Sequence, residues 1–160
     1  MGMFDGLSGY KPEKVTDGFQ PFKEKGSAIV NYVRIEDYQG EKEEFKGSQF
    51  FRYELVMAEG CDNAGRRLWL SKNITNEKPD KKGKTNMQKV ADVMFTLGLE
   101  FTDMDSLRIA MEKVSEMTLE VNAYHSDNFK DEKTGINIQC HSVLGIAGEK
   151  GKLPEGEAPF

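Results

Sequence analysis

Three stretches of the chain alternate between apolar and polar residues with a period of two, the signature of half-buried β-strands. In 27–35, Ile29, Val33 and Ile35 fall in one phase and Val30, Tyr32 and Arg34 in the other. In 49–58, Phe51, Tyr53, Leu55 and Met57 alternate with Phe50, Arg52, Glu54 and Val56. In 66–74, Leu68, Leu70 and Ile74 alternate with Arg67, Trp69, Ser71 and Asn73. Such alternation belongs to an antiparallel sheet with one face on the core. The Gly60–Gly65 segment, with Asp62 and Asn63, supplies the turn residues for a hairpin between the second and third strands.

The period then changes. Thr85 and Gln88 have the T-x-x-Q spacing of a capping box, and Met87, Val90, Ala91, Met94 and Leu97 recur at helical spacing up to Gly98, a helix stop. A shorter helix is expected over 104–115, capped by Thr102 or Asp103, with Leu107, Met111 and Val114 as its buried stripe. Alternation returns in 117–124 and 136–144, separated by a polar loop. Before the first strand, glycines and Pro12 and Pro21 deny residues 1–25 a regular element, yet Phe4, Leu7, Tyr10, Phe19 and Phe22 recur there. Disordered tails rarely carry so many aromatics, so this arm is expected to lie along the domain or to contact a second subunit in a homo-oligomer. Residues 145–160 lack periodicity and are expected to form a flexible tail.

This order predicts a mainly β fold, a five-stranded OB-fold-like antiparallel Greek-key barrel over 26–144, with a helix and a short second helix between strands 3 and 4. A chain of 160 residues suits one such domain.

Charge sharpens the picture. From Arg66 to Lys89, eight basic residues face only Glu77 and Asp80, a net of +6 in a chain of −5, so the remainder carries −11. The sole tryptophan, Trp69, lies in this island and in phase with its polar residues. Cations around an aromatic suit a phosphate backbone and a stacked base; the competing readings are a tryptophan sealing the barrel or packing under the arm, and a merely solvated lysine loop. No apolar run approaches the roughly 20 residues of a membrane span, and the N-terminus lacks the apolar stretch of a secretory signal. With Cys61 and Cys140 too few for a disulfide framework, a cytoplasmic protein with reduced thiols is expected. Neither cysteine, nor His125 or His141, has zinc-site spacing. Phosphate-loop and nucleophile-elbow motifs are absent. No metal, cofactor or catalytic activity is therefore expected.

The element order, the strand ending RRLWLSKN and the helix ending TLGL resemble phage-encoded single-stranded DNA-binding proteins with an OB-fold, over about residues 26–144. The resemblance implies sequence-independent binding and protection of single strands in DNA replication or recombination, in the host cytoplasm. It directs attention to the polar phases: Arg67, Trp69, Ser71 and Asn73 on strand 3, Phe50 and Arg52 on strand 2, Tyr32 and Arg34 on strand 1. Lys72, Lys81, Lys82 and Lys84 would supply phosphate contacts. The ending PEGEAPF is similar to the tail by which bacterial single-stranded DNA-binding proteins recruit replication and repair partners, with Pro159 and Phe160 matching its end. It departs from that tail in having only Glu155 and Glu157 nearby, beside Lys150 and Lys152. The acidic total and the aromatic arm support a rival, an OB-like structural or protein-interaction module that binds no nucleic acid.

Overall fold

The computed structural model describes residues 3–15, 22–59, 64–130 and 137–151, without the side chains of 22–24, 124–130 and 137–140. Residues 60–63 of the expected 60–65 turn, 131–135 of the expected polar loop, Ile136 at the start of the expected last strand, and the tail from 152, with Pro159 and Phe160, lie outside this set. A short 3-10 turn, Asp5–Leu7, precedes β1 (Phe22–Asp37), and another, Glu43–Phe45, separates β1 from β2 (Gln49–Met57). There follow β3 (Arg67–Asn73), α1 (Asn86–Thr96), α2 (Met104–Val114), β4 (Met117–Lys130) and β5 (Asn137–Glu149). The strands form one antiparallel sheet in the order β3-β2-β1-β4-β5, an open mainly β architecture with two helices.

β1 organises the sheet because it is shared. Residues 28–37 pair with β2, while 22–29 pair with β4. It starts five residues before the expected 27 because pairing with β4 satisfies its backbone even where Lys23, Glu24 and Lys25 carry no apolar signal. β4 likewise runs past the expected 124 to Lys130, so the first part of the expected polar loop is strand, and β5 runs past the expected 144 to Glu149, the two satisfying each other's backbone.

The core is the inward face of the sheet closed by two helices. Phe51, Leu55 and Met57 of β2, Leu68 of β3 and Leu119 and Val121 of β4 are all but fully buried, against Met87, Val90 and Met94 of α1 and Leu107 of α2. Each such side chain contributes about 1.5–3 kcal/mol on leaving water. One expected phase is corrected here. Ile29, Val33 and Ile35 do not share a face: the register shifts between Val30 and Tyr32, so Ala28 and Val30 enter the core before the shift, and Val33 and Ile35 pack against it afterwards. A bulge adds one residue and reverses the phase of everything beyond it.

The helix ends follow local chemistry. Thr85 accepts from the Gln88 amide at 3.1 Å and the Gln88 side chain accepts from the Thr85 amide at 2.9 Å, closing the capping box. Asp103 caps α2 by accepting from the Ser106 amide at 2.8 Å. Past α1, Gly98 adopts φ +75°, and the Gly98 and Leu99 amides donate to the Phe95 and Met94 carbonyls, a Schellman stop that a side chain at 98 would strain. The arm is docked: Gln88 Nε2 donates to the Gly6 carbonyl at 2.7 Å, and the Phe4 and Phe101 rings meet edge to face. Among the described residues, no helix is long and apolar enough to cross a membrane.

Candidate nucleic-acid interface

The face of the sheet opposite the core carries, in register across β1, β2 and β3, the rows Tyr32–Glu54–Trp69, Arg34–Arg52–Ser71 and Glu36–Phe50–Asn73. This register brings Tyr32, Arg34, Phe50, Arg52, Arg67, Trp69, Ser71 and Asn73 onto one surface. Trp69 is 44% exposed. Its neighbours Leu68 and Leu70 point the other way into the core side, so the alternation that buries β3 presents the indole outward. The bulge in β1 also shapes this face, since it places Tyr32 and Arg34 on the outer rows while turning Val33 and Ile35 toward the core.

Two carboxylates, not singled out from sequence, sit within this face. Glu36 forms ion pairs with Arg34 and with Arg52, the latter at 3.1 Å. Glu54 is buried, accepts a hydrogen bond from Asn31 and lies 3.8 Å from Arg67. The Arg34 guanidinium also stands 4.0 Å above the centre of the Tyr32 ring, within range of a cation–π contact. The three arginines are thus held outward and oriented, with a local net charge of only +1 against the two glutamates. Asn73 is committed to the turn after β3: its Oδ1 accepts from the Thr75 amide at 3.1 Å, and its carbonyl accepts from Asn86 at 3.0 Å.

Beyond the last row, the β1–β2 connection builds an aromatic corner. Tyr38, Phe45 and Phe50 lie with ring centroids 5.5–6.0 Å apart, and Lys42 Nζ stands 5.7 Å from the Phe45 centroid. Gly40 lies so close to the Tyr38 phenol that a Cβ there would overlap it. A recess of about 270 Å3 opens between residues 36–40, Phe50, Arg52 and Ser71. Tyr38 and Phe45 were missed because a charged, glycine-bounded loop gives no periodic signal; the one available clue was two aromatics inside it.

The lysines occupy another place. Lys72 is in phase with Leu68 and Leu70 and pairs opposite Phe51, so it leaves β3 on the side away from Trp69. There it lines a cleft of about 710 Å3 with Lys81, Lys82, Lys84, Lys89 and Lys14, walled by the arm, α1 and the His141–Val143 segment of β5. The expected contacts therefore divide into an outer aromatic–arginine face and a lysine cleft, with β3 between them. Lys84 is not an available cation. It binds Asp92 at 2.8 Å and Glu13 at 3.1 Å, partnerships that raise its pKa. Asp92, buried on α1, also accepts from the Tyr10 hydroxyl at 2.7 Å and the Glu13 amide at 2.9 Å, clasping the arm to the helix. Tyr10 in turn has its pKa raised, first by desolvation and then by Asp92. The 80–84 loop is similarly built: Asp80 accepts from the Lys82 and Lys84 amides and pairs with Lys89 at 2.8 Å, which holds its carboxyl well below the usual carboxylate range.

The floor of the cleft is neutral. Tyr53 Oη and His141 Nε2 are 2.9 Å apart, and burial pushes the tyrosine pKa up and the histidine pKa down to about 4. Among the described residues, no group of three or more His, Cys, Asp or Glu side chains is placed to hold a metal ion. No protein-family model, curated protein or solved structure matches the chain.

Proposed function

We propose that the protein binds single-stranded DNA without sequence preference, protecting strands exposed in replication or recombination and performing no chemistry. The observation that carries this reading is the outer face of β1, β2 and β3, where the ladder places Tyr32, Phe50 and Trp69 on one surface with Arg34, Arg52 and Arg67. Aromatics stack bases of any identity for about 1–3 kcal/mol each, while arginines take the phosphates. The Tyr38–Phe45–Phe50 corner extends the stacking surface. An OB-like barrel suits this use. It is supported by β1 being divided between β2 and β4, and by Tyr53 of β2 reaching His141 of β5 although two strands intervene in the sheet.

Titration of the lone tryptophan's fluorescence with oligo-dT at low and high salt tests the proposal. Quenching is expected, with affinity falling with salt at a log–log slope shallower than the value of about −2 that three fully freed arginines would give at one phosphate each, because Glu36 and Glu54 pair with them. Absence of quenching together with absence of salt-dependent affinity sinks the reading. One observation favours the rival, a protein-interaction surface: Glu36 and Glu54 already occupy the arginines, and paired charges around exposed aromatics also suit a protein partner.

A further inference from the structure

The cleft on the far side of β3 contains more positive charge than its own carboxylates can use. Six lysines line it against Glu13, Asp80 and Asp92. Those three acids are committed, Glu13 and Asp92 to Lys84 and Asp80 to Lys89. Lys14, Lys72, Lys81 and Lys82 have no ion-pair partner among the described residues. The position of Lys72 is the most telling. It is half-buried in the wall, and its pKa is lowered first by desolvation and then by repulsion from Lys89, which the attraction of Asp80, itself paired with Lys89, only partly offsets. A cation set into a protein wall beside another cation is an unfavourable arrangement that a bound anion would relieve.

The shape narrows the ligand. A cleft of about 710 Å3 is the size of a small-molecule site rather than a groove for a folded partner. Its lining includes apolar Leu70, Val93 and Val143 and the uncharged Tyr53–His141 pair, so the cations line a partly apolar hollow. Lysines recognise phosphate as mobile point charges, and several together suit an anion with several adjacent charges better than the single charge per nucleotide of a phosphodiester chain.

We infer that the cleft between β3, α1 and β5 is a second binding site, for a nucleotide-sized ligand bearing a terminal phosphate or polyphosphate, recognised by Lys72 with Lys14, Lys81 and Lys82. It lies across β3 from the outer face and does not depend on strand binding there. The same chemistry is offered by a free nucleoside triphosphate and by the 5′-phosphorylated end of a strand.

The test is calorimetric titration of the full chain with inorganic tripolyphosphate. Saturable binding of one anion per chain is expected, weakening with salt, with affinity lowered at least ten-fold in Lys72→Gln and several-fold in the exposed-loop variant K81Q/K82Q. The loop variant keeps the result readable should the wall substitution disturb folding. Tighter binding of dTTP than of tripolyphosphate assigns the site to free nucleotides. A gain in affinity for a 5′-phosphorylated oligonucleotide over its hydroxyl counterpart, abolished by the same variants, assigns it to strand ends. No saturable binding, or binding unchanged in both variants, overturns the inference. Displacement of oligo-dT from Trp69 by tripolyphosphate at constant ionic strength, unchanged in both variants, also overturns it, by putting the anion on the outer face. Strand binding is read separately from Trp69 quenching, so either proposal can fail alone.

Discussion

Replacing Asp92 with alanine removes the clasp between the arm and α1, and its cost can be worked from the contacts. Asp92 is 6% exposed, and its carboxylate accepts three hydrogen bonds, from the Tyr10 hydroxyl, the Glu13 amide and Lys84. A hydrogen bond to a charged group contributes about 1.5–3 kcal/mol and a neutral one about 0.5–1.5 kcal/mol. The losses do not add in full. The Lys84 side chain is 29% exposed and keeps Glu13, and water can reach the released Tyr10 hydroxyl. A net destabilisation of about 2–3 kcal/mol follows, or about 5–10 °C in Tm for a chain of this size. Asp92→Asn retains an acceptor for Tyr10 and Glu13 but loses the charge facing Lys84, so about 1–2 kcal/mol is expected. Urea denaturation measures the totals. Hydrogen exchange locates them: the Glu13 amide, bound to Asp92, and the Val15 amide, bound to Thr96 Oγ1 at 2.8 Å, should lose protection while the β1–β2 ladder does not. A change below about 0.5 kcal/mol in Asp92→Ala, with both arm amides still protected, would refute the clasp.

Two further predictions concern acid stability and the outer face. His141 titrates near 4 in the folded protein because burial opposes its charge, against about 6.5 unfolded. The unfolded chain therefore binds the extra proton between those values, and stability falls with decreasing pH from about 6.5 to 4, by up to about 3 kcal/mol from this group. Denaturant titrations of wild type and His141→Asn across that window should diverge, the wild type losing more; parallel curves would remove His141 from the account. Glu36→Gln frees Arg34 and Arg52 from their shared carboxylate. It should raise oligo-dT affinity about two- to ten-fold at low salt and steepen the salt slope by about 0.7–1.4. Unchanged or weaker binding would show that the glutamate is not competing with phosphate.

Much of the fold was legible because its signals are local. The T-x-x-Q cap, the helical stripe from Met87 to Met94 and the Gly98 stop act within a few residues, and each forms as its spacing predicts. The alternation in β2 and β3 assigned Phe51, Tyr53, Leu55, Met57 and Leu68 to the core and left Trp69 outside it. The ends of β1 and β5 were not legible, since polar strand residues gain their structure from a partner distant in sequence.

The chain's own pattern determined which residues of β2 and β3 face outward, because a strand's period of two is set by covalent geometry alone. Tertiary structure decided three matters that this period cannot carry. The bulge in β1 aligned Tyr32 and Arg34 with Glu54 and Arg52, since register is a property of two strands. Lys72 was separated from Trp69 by β3 itself, although both belong to one basic island, because neighbouring residues on a strand point to opposite sides. Finally, Lys84 was withdrawn from that island by Glu13 and Asp92, carboxylates that reach it only when the arm folds onto α1. A charge run in sequence counts cations; the long-range contacts decide which of them keep their charge for a ligand.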